Sequence, residues 1–584
     1  MKPNGQKNIR LRILIIGYIL GLFLIVIGVR AFYIQVFCDT WLSQRAANEY
    51  KKSLVSYGKR GTIFDANHRE LAVSLEVKSI AAYPCLIEDK YLAAKALSTT
   101  LKLNRKTLTK TLDSKKSFVW IKRKVSPQEV LKVKALKLSG IGFIPEYNRF
   151  YPNKSLAAQI IGFSGTDGHG LEGIEFYYDN LLKGITNRFT VLKDASGKKF
   201  AREATGNKET NSPAFNGNNL ILTIDSAIQY ITEQELKKAV NSCSGKTGIA
   251  IVMSPETGAI LAMAHFPSFN PNAFGKFNKE LWRNRAITDP FEPGSTMKIF
   301  TVAGAIEPGI CTSDSIFYCE NGAYAIGKNI INDTHKYGWL SLQHIIKYSS
   351  NIGTVKISEK MGRKTLYNNL LSFGFGSKTG IDCPGETTGH LSHFKRWSKI
   401  DTGTIAFGQG ISVSPIQLIT AVSAIANKGV LMKPYIVQAI TDQNGSVIKN
   451  HHPEKTAKVI SKKTSRIITK MLESVVNNDG TGTKAHLEGY STCGKTGTAQ
   501  KIDNTGRYSK KKYTSSFIGF VPSDKPEAVI LVVIDEPKKS YYGGIVAAPA
   551  FRKIAHKTLD YMNITPTTKV NGNLVVYKQA EAKG

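Results

Sequence analysis

The strongest hydrophobic pattern in the chain is an uninterrupted apolar run near the N-terminus. Residues Ile13–Val29 include no charged side chain, and Arg12 and Arg30 stand on either side of the run. At 1.5 Å of rise per residue, a helix over this run is roughly 26 Å long, close to the hydrocarbon thickness of a bilayer. The pattern predicts a transmembrane helix over residues 13–35 that follows a short tail over residues 1–12.

The charges before the run indicate the orientation of this helix in the membrane, and the lack of a cleavage signal indicates that it is retained. The basic residues before the run are Lys2, Lys7, Arg10 and Arg12. By the positive-inside rule they keep the tail in the cytoplasm. A cleavable signal peptide is the rival interpretation, but no small-x-small site follows the run, and Phe37 before Cys38 is too bulky for lipoprotein cleavage. We expect a retained single-pass anchor in the inner (cytoplasmic) membrane, with the rest of the chain periplasmic or otherwise extracytoplasmic.

Beyond the anchor, apolar and polar positions follow no single period, which indicates helices and strands in more than one core. Residues 36–215 alternate between strand-like and helical stretches, and we expect an elongated pedestal domain with a helical insertion near Asn104–Leu138. The polar, glycine-bearing segment Gly206–Asn219 is typical of a linker. The predicted architecture is α+β, with a catalytic domain over residues 216–562 and a polar tail over residues 563–584.

Local patterns in the C-terminal half predict individual elements. Alternation in Tyr513–Phe520 and in Ala528–Ile534 predicts neighbouring antiparallel strands. The apolar stretch Leu342–Tyr348 predicts a helix that ends in small polar residues. Gly245–Gly248 spells Lys-Thr-Gly, but it leads into a strand, turn and strand that end at Ala264, so we assign it to a hairpin.

The composition is strongly basic, with a formal net charge of +35. A basic surface attracts the phosphates of nucleic acids, but export removes that partner. The lysines are scattered through Lys102–Lys137 and Lys501–Lys512 rather than aligned with aromatic residues, which is typical of a solvated surface. We therefore expect no nucleic acid partner, while attraction to anionic lipid headgroups stays open.

The seven cysteines show no metal-ligand spacing and no C-x-x-C pair. Neither a metal nor an organic cofactor is therefore implied. Cys311 and Cys319 are candidates for a bridge, although buried structural thiols are the favoured interpretation. Cys493 lies two residues before Lys495 in a strand pattern, so both side chains face the same side and we expect an accessible thiol there.

Three short motifs in a fixed order carry the candidate chemistry, and the first is Ser295-Thr-Met-Lys298. A Pro-Gly turn precedes Ser295 and predicts a helix that begins at or near this serine. Residues three apart share a helix face, so Lys298 lies within reach of the Ser295 hydroxyl. A serine needs an adjacent base, and a buried lysine near a second cation, for which Lys495 is the candidate, becomes partly neutral. Ser295 is the candidate nucleophile and Lys298 its base, and an N-cap serine with a surface lysine is the alternative.

The second motif is Ser349-Ser-Asn351, directly after the predicted helix that ends at Tyr348. Ser349 is a candidate proton relay between the lysines and a departing amine. Asn351 is a candidate for holding the amide backbone of a substrate. Ordinary loop polarity is the alternative for this motif taken alone.

The third motif, Lys495-Thr-Gly-Thr498, lies in a strand pattern after a glycine-bearing loop. A lysine and a threonine side by side on an edge strand are suited to a terminal carboxylate, which makes Lys495, Thr496 and Thr498 candidates for binding it. Gly497 allows a ligand backbone to approach closely. The backbone N–H groups of Ser295 and Thr498 are the candidate oxyanion hole.

The three motifs, in this order behind a membrane anchor, resemble those of the class B penicillin-binding proteins. Further matching segments are Lys59–Asp65 with Glu70–Ala72, Tyr147–Pro152, Gly170–Glu175, Phe407–Gln417, Tyr541–Gly544 and Ala548–Phe551. Ala66-Asn67-His68 departs from the Arg-Asn-Gly that is usual in the family. The resemblance covers residues 13–555.

The resemblance implies a fold, a reaction and partners. The fold is a penicillin-binding transpeptidase domain, an antiparallel sheet sandwiched by helices, with the site between the sheet edge and the helical part. The reaction is serine-type D,D-transpeptidation of peptidoglycan stem peptides through a Ser295 acyl-enzyme, which β-lactams also form. The implied partners are a polytopic glycosyltransferase of the shape–elongation–division type and other division proteins. Gly170–Glu175, the chain length and the late Tyr-Gly-Gly segment favour the septal branch, and the lateral-wall (elongation) branch is the alternative.

Other functions use the same motifs. A serine β-lactamase needs a residue that activates water, and Glu473-Ser-Val-Val-Asn477 is the nearest match to the E-x-x-L-N pattern, although we interpret it as helix surface. A D,D-carboxypeptidase uses water as the acceptor, and the sequence does not exclude it. A β-lactam sensor or a catalytically silent division scaffold is a further alternative, but no motif residue is lost here.

Overall fold

The fold is described by a computed structural model. It covers residues 4–37, 51–184, 186–193, 199–201, 216–503 and 505–566. The chain divides into two compact units, Met1–Gly58 with Ile185–Asn216 and Lys59–Gly184 with Gly217–Gly584. The predicted linker lies outside the described residues up to residue 215, and so does most of the predicted tail.

The helices of the described residues are distributed over the whole chain. Their bounds are α1 Asn4–Phe37, α2 Lys90–Leu101, α3 Arg105–Leu112, α4 Pro127–Ala135, α5 Ala158–Ile161, α6 Gly173–Tyr177, α7 Asp179–Leu182, α8 Ser226–Ser242, α9 Arg285–Thr288, α10 Lys298–Ile306, α11 Leu342–Tyr348, α12 Asn351–Met361, α13 Arg363–Ser372, α14 Lys399–Ala406, α15 Pro415–Ala426, α16 Lys462–Val476, α17 Gly543–Val546 and α18 Ala548–Tyr561.

The strands lie between these helices. Their bounds are β1 Lys51–Tyr57, β2 Ile63–Phe64, β3 Glu70–Ala82, β4 Val119–Val125, β5 Ile141–Phe150, β6 Phe163–Ser164, β7 Gly170–Glu172, β8 Thr186–Lys193, β9 Lys199–Ala201, β10 Asn219–Leu222, β11 Thr247–Met253, β12 Ile260–Phe266, β13 Ile316–Tyr318, β14 Ala323–Ile326, β15 Asn329–Asn332, β16 Trp339–Ser341, β17 Val430–Met432, β18 Val437–Thr441, β19 Val447–Asn450, β20 Lys455–Lys458, β21 Cys493–Ile502, β22 Tyr508–Val521 and β23 Ala528–Asp535.

The first unit contains the N-terminal helix and a small sheet. Within α1, the segment Leu11–Phe37 is the one stretch of the described residues that is long and apolar enough to cross a membrane, so the predicted N-terminal apolar helix is confirmed. The sheet has the order β1-β8-β9, and β1 pairs antiparallel with β8 from Lys51 opposite Leu192 to Tyr57 opposite Thr186.

In the second unit, a seven-stranded sheet has the order β19-β18-β10-β2-β3-β4, with β5 also paired to β3. β10 pairs in parallel with β2, Leu220 opposite Ile63, and antiparallel with β18. Strands from both sides of the predicted boundary between residues 215 and 216 therefore share one sheet. The predicted domain bounds stay predictions.

Helices α2, α3 and α4 pack on this sheet through a separate apolar cluster. Leu97, Leu108 and Val133 from the helices are buried with Ile80 of β3 in this cluster. Ser126 and Glu129 form a reciprocal capping box at the start of α4, which satisfies two orphan N–H groups. The predicted helical insertion near Asn104–Leu138 is only partly helical, because it also contains β4, which completes the sheet beside β3.

The catalytic half is built on a five-stranded antiparallel sheet in the order β12-β11-β23-β22-β21. Ile249, Ile251 and Met253 of β11 enter one core with α10 and α15, whereas Ala250 and Val252 enter a second core with α8 and α18. Alternate residues of one strand are thus buried on both faces, which explains why these strands are apolar throughout. The predicted sheet sandwiched by helices is confirmed.

Several local predictions are confirmed in this sheet. β22 and β23 are antiparallel neighbours, and the Lys-Thr-Gly of Gly245–Gly248 opens the β11–β12 hairpin. β21 is the edge strand and carries Lys495 opposite Ile518 of β22. The edge position leaves one side of β21 free of a strand partner, where another chain can bind.

A buried charge cluster joins the elements of the pedestal segment. Glu175 of α6 is fully buried and accepts hydrogen bonds from Arg60 Nε and Arg149 Nε, each at 2.6 Å. Arg60 also pairs with Asp179 at 2.6 Å. Burial raises the pKa of Glu175, but the two guanidinium groups outweigh it and hold the pKa below its ordinary value. The carboxylate is therefore ionised and joins the segment before β2 to β5 and α6.

We expect Glu175→Gln to lower the free energy of unfolding by about 3–5 kcal/mol, because it leaves the buried guanidinium of Arg149 without a counter-charge and that of Arg60 with Asp179 alone. Chemical denaturation of the detergent-solubilised chain measures this change. Glu129→Gln is the matched control, since the Lys122–Glu129 pair is partly exposed and glutamine preserves the capping box. The control is expected to cost no more than about 1 kcal/mol. Equal effects of the two substitutions would contradict the assigned role of Glu175.

Candidate active site

The first motif forms a tight turn against the edge strand. A 3₁₀ turn covers Gly294–Met297 and continues into α10 at Lys298, so helical structure begins near Ser295, as predicted. Gly294 has φ +54 and its N–H donates to the Gly408 carbonyl at 3.0 Å. In a 3₁₀ turn, residues i and i+3 eclipse, so Ser295 and Lys298 still face the same side.

Lys298 is fully buried and anchored to the second motif. Its Nζ donates to the Ser349 carbonyl at 2.5 Å, to Ser349 Oγ at 3.1 Å and to Asn351 Oδ1 at 2.8 Å. Ser295 Oγ is not one of these three acceptors. Burial lowers the pKa of Lys298 to about 7, and the charge of Asp333 opposes this shift. A substantial fraction of the amine is therefore neutral at physiological pH, as a general base requires.

The second motif is shaped by an unusual backbone conformation. Ser349 ends α11 with φ 62 and ψ 40, in the left-handed region that costs a non-glycine residue about 1–2 kcal/mol. This conformation directs both the carbonyl and the hydroxyl of Ser349 to Lys298. Ser350 then caps α12 by accepting from the Gly353 N–H at 2.9 Å. Strain of this kind persists where the surroundings hold it, often at functional sites.

The third motif lies on β21, which contacts the serine turn. Lys495 is fully buried, and its Nζ is 3.4 Å from Thr496 Oγ1. Burial and the nearby charge of Lys298 lower the pKa of Lys495 well below its ordinary value. The predicted proximity of the two lysines is therefore present, and burial is the main reason that both lose basicity.

The polar side chains of β21 reach neighbouring loops. Thr496 Oγ1 donates to Thr481 Oγ1 at 3.1 Å, and Thr498 Oγ1 accepts from the Gly543 N–H at 3.1 Å. Thr496 and Thr498 share one side of the strand, as alternate residues do. The loop that holds Thr481 and the start of α17 at Gly543 thus flank the side on which we predict the substrate carboxylate.

Gly497 permits close packing of β21 on the serine turn. A Cβ at this position would overlap the Ser516 hydroxyl oxygen and lie 3.1 Å from the Pro293 carbonyl oxygen. The space beside the glycine is therefore filled by protein atoms. The predicted approach of a ligand backbone at Gly497 stays a prediction.

Other residues of the site were not found from the sequence. Asp333 accepts hydrogen bonds from Ser350 and Asn351, and Glu292 Oε1 accepts from the Gly410 N–H at 2.9 Å and from Tyr508 Oη at 3.1 Å. Asp333 is distant in sequence from the three motifs, and tertiary packing brings it to them. Glu292 stands three residues before Ser295, so its position in the sequence was a signal that could have identified it.

One prediction about the cysteines is wrong. Cys493 is fully buried rather than accessible, because its side of β21 packs into the main apolar core. Cys311 and Cys319 are both buried free thiols, which agrees with the favoured interpretation and not with the alternative of a bridge. Among the described residues, no group of three or more His, Cys, Asp or Glu side chains is arranged to hold a metal ion.

Glu473 lies on α16 as predicted and accepts a hydrogen bond from Ser523 Oγ at 2.6 Å. The nearest match to the water-activating glutamate of β-lactamases is thus engaged with a loop that follows β22. No hydrogen bond of Glu473 in the described part of the chain is to a residue of the three motifs.

The sequence matches two family models. The penicillin-binding protein transpeptidase domain matches residues 248–556, and the penicillin-binding protein dimerisation domain matches residues 55–222. Together with the edge-strand site, these matches define the class: the chain belongs to the class B penicillin-binding proteins.

Individual relatives match along most of the chain. A probable peptidoglycan D,D-transpeptidase PenA of Neisseria meningitidis is 35% identical over 92% of this chain and 90% of its own length. The peptidoglycan D,D-transpeptidase FtsI of Escherichia coli is 35% identical, with 90% and 88% covered. The stage V sporulation protein D of Bacillus subtilis is also 35% identical, with 96% and 87% covered.

Solved structures agree in fold. A peptidoglycan synthetase from Bifidobacterium adolescentis has a TM-score of 0.71 at 26% identity, and the match covers 89% of this chain and 98% of that one. Penicillin binding protein 3 from Mycobacterium tuberculosis, complexed with aztreonam, has a TM-score of 0.69 at 27% identity, with 88% and 99% covered.

We expect Gly497→Ala to destabilise the fold by about 1–3 kcal/mol through overpacking, mainly against the Ser516 hydroxyl of β22 and also against the serine turn. Ser516→Ala removes the oxygen that the new methyl group would overlap, so the double variant should recover part of the loss. Unfolding midpoints of the four proteins in a double-mutant cycle measure this coupling. Strictly additive effects would show that the two positions do not meet as described.

Proposed function

We propose that this chain is a peptidoglycan D,D-transpeptidase that cross-links stem peptides through an acyl-enzyme on Ser295. The observation that carries the proposal is the buried Lys298, which is bonded to Ser349 and Asn351 and lies three residues from Ser295 on one turn. A lysine whose pKa is lowered to about 7, on the same turn as a serine, is suited to activate that serine for nucleophilic catalysis.

In the acylation step, Ser295 Oγ attacks the carbonyl carbon of the D-Ala–D-Ala bond and its proton passes to Lys298. The backbone N–H groups of Ser295 and Thr498 stabilise the oxyanion. The C–N bond then breaks, and the departing D-Ala amine takes a proton through Ser349. Lys495, Thr496 and Thr498 hold the carboxylate of the donor peptide, and Asn351 holds its amide backbone.

In the second step, a side-chain amine of a neighbouring stem peptide attacks the acyl-enzyme. A new amide bond forms, the bond to Ser295 Oγ breaks, and the serine recovers its proton. No step needs a metal or an organic cofactor. β-Lactams present a strained amide to the same serine and form an adduct that resists water.

The relatives favour a role in septal wall synthesis, since two of the three named above are called D,D-transpeptidases of the PenA and FtsI kinds. The third relative is called a stage V sporulation protein, a name that does not indicate a septal role. A lateral-wall (elongation) transpeptidase is the alternative with the same chemistry. A D,D-carboxypeptidase would hydrolyse the acyl-enzyme, and a silent scaffold would not form it.

We expect Ser295→Ala to abolish covalent labelling by fluorescent penicillin, because Ser295 is the proposed nucleophile on the turn before Lys298, whereas the Ser349 hydroxyl is already a hydrogen-bond acceptor of Lys298 Nζ. Peptide mass spectrometry of the labelled chain locates the adduct. Ser242→Ala, at the exposed end of α8, is the matched control and should label as the parent does. Retained labelling of Ser295→Ala would show that the nucleophile is wrongly assigned.

A separate assay with a D-Ala–D-Ala donor and an added amine tests whether an amine or water takes the acyl group from the enzyme. A cross-linked product identifies a transpeptidase, whereas release of D-Ala without cross-linking identifies a carboxypeptidase. Unchanged donor together with no penicillin adduct would favour the scaffold.

We further propose that α1 has its N-terminus in the cytoplasm and contacts a polytopic glycosyltransferase of the shape–elongation–division type, with other division proteins bound through the anchor and the pedestal. The apolar segment Leu11–Phe37 supports the anchor, and the basic residues before it support the orientation. Photo-cross-linkers placed along Ile13–Val29 in cells should yield an adduct with the glycosyltransferase. The same cross-linkers in a chain whose anchor is replaced by an unrelated span should yield none, and equal adducts from both chains would contradict the proposed contact.

A further inference from the structure

Asp333 lies directly after β15 and is bound to the turn that opens α12. Its Oδ2 accepts from Ser350 Oγ at 2.6 Å, and its Oδ1 accepts from the Ile352 N–H at 3.1 Å and from the Asn351 N–H. One half-buried carboxylate thus binds three consecutive residues. Without it, two N–H groups in the first turn of α12 would lose their acceptor.

The same segment determines which end of the Asn351 amide faces Lys298. Asn351 Nδ2 donates to the Asn332 carbonyl at 2.9 Å, so Asn351 Oδ1 points to the lysine and accepts from Nζ at 2.8 Å. Asn332 therefore fixes the Asn351 side chain, while Asp333 fixes its backbone. One acceptor of Lys298, the side-chain oxygen of Asn351, is therefore oriented by Asn332 and Asp333, which lie outside the three motifs.

Asp333 also supplies the negative charge that acts on the buried amine. The negative charge of Asp333 favours the charged form of Lys298, while the charge of Lys298 in turn lowers the pKa of the neighbouring Lys495. Tyr337 and Cys319 also face the carboxylate. Burial, with Asp333 as a smaller cause, raises the pKa of both groups, so they are uncharged at pH 7.

We propose that Asp333 is a positioning residue of the acylation step that holds the Ser349–Asn351 turn and stabilises the cation formed on Lys298. The inference rests on the function proposed above. As the Ser295 O–H bond breaks, its proton binds Lys298 Nζ and the neutral amine becomes an ammonium. The Ser349 carbonyl, Ser349 Oγ and Asn351 Oδ1 lie within hydrogen-bond distance of Nζ and stabilise that ammonium. Asp333 holds the backbone of Asn351, which carries one of these acceptors, and the hydroxyl of Ser350, which directly follows Ser349, and its charge lowers the energy of the new cation.

Removal of this charge has a consequence that depends on pH. Lys298 must be neutral to accept the proton, so the acylation rate of the parent rises as pH passes through about 7. Because Asp333 favours the charged lysine, an uncharged residue at position 333 lowers the pKa of Lys298. The rise in rate then occurs at lower pH, and the plateau falls because a weaker base accepts the proton less readily.

The experiment measures the second-order rate constant for acylation of the full-length chain in detergent by fluorescent penicillin, from pH 5 to pH 9. For Asp333→Asn, the rise is expected to move down by about one pH unit, the lower end of the usual effect of a neighbouring opposite charge. The plateau is expected to fall roughly threefold or more. Asp333→Ser is the second uncharged variant and should show the same displacement.

Two controls separate charge from structure. Ser350→Ala removes one hydrogen bond to Asp333 but no charge, so we expect a fall in rate without a displacement along the pH axis. Asp401→Asn neutralises a carboxylate in the capping box of α14 and should leave the profile of the parent unchanged. Thermal unfolding of each variant reports whether the fold is retained.

The outcomes distinguish failure of the proposed role of Asp333 from failure of the proposed transpeptidase function. A displaced profile in either uncharged variant, with an undisplaced profile in Ser350→Ala, supports the proposal. An equal loss of rate at every pH, an unchanged profile, or loss of the fold in both variants would overturn it and leave Asp333 a structural residue. Absence of any adduct on Ser295 of the parent would instead refute the proposed function.

Discussion

The site depends on one constraint, which is the complete burial of two lysine side chains where the start of a helix meets the edge strand of the sheet. Lys298 begins α10 and Lys495 lies on β21, and neither is exposed to solvent. Burial of an ammonium group is costly unless it is hydrogen-bonded and compensated by opposite charge, so the lysines either find partners or lose protons. Both occur here, since Lys298 has three acceptors and both lysines have lowered pKa values.

The rest of the catalytic half can be understood as the means of maintaining that burial. β21 must lie close enough to the serine turn to exclude water, which is why Gly497 has no room for a side chain. The left-handed Ser349 brings a carbonyl and a hydroxyl to the same amine. The central strands of the sheet are buried on both faces and give the edge strand a rigid support. A site built on such elements keeps its geometry better than one built on loops.

The sequence predicted much of this arrangement, and the errors have identifiable causes. The anchor helix, the hairpin of β11 and β12, and the paired strands β22 and β23 follow from local patterns, because each depends on periodicity within a few residues. The order of the three motifs indicated the family, which the comparisons confirm. The roles assigned to Ser295 and Lys495 remain predictions, although the structure places these residues where the start of the helix meets the edge strand. Cys493 was wrongly expected to be accessible, because strand periodicity specifies a side of the strand but not what covers that side.

The sequence by itself determined that the chain has one apolar anchor, an α+β body and the complete set of motif residues of a penicillin-binding transpeptidase. Only the tertiary structure decided that Lys298 donates to Ser349 and Asn351, that Asp333 binds the turn that presents them, and that Glu292 joins the serine turn to the β21–β22 hairpin. The physical reason is the range of the interactions. Periodicity and spacing act within one element, whereas hydrogen bonds and charges act between residues that packing brings together from distant parts of the chain.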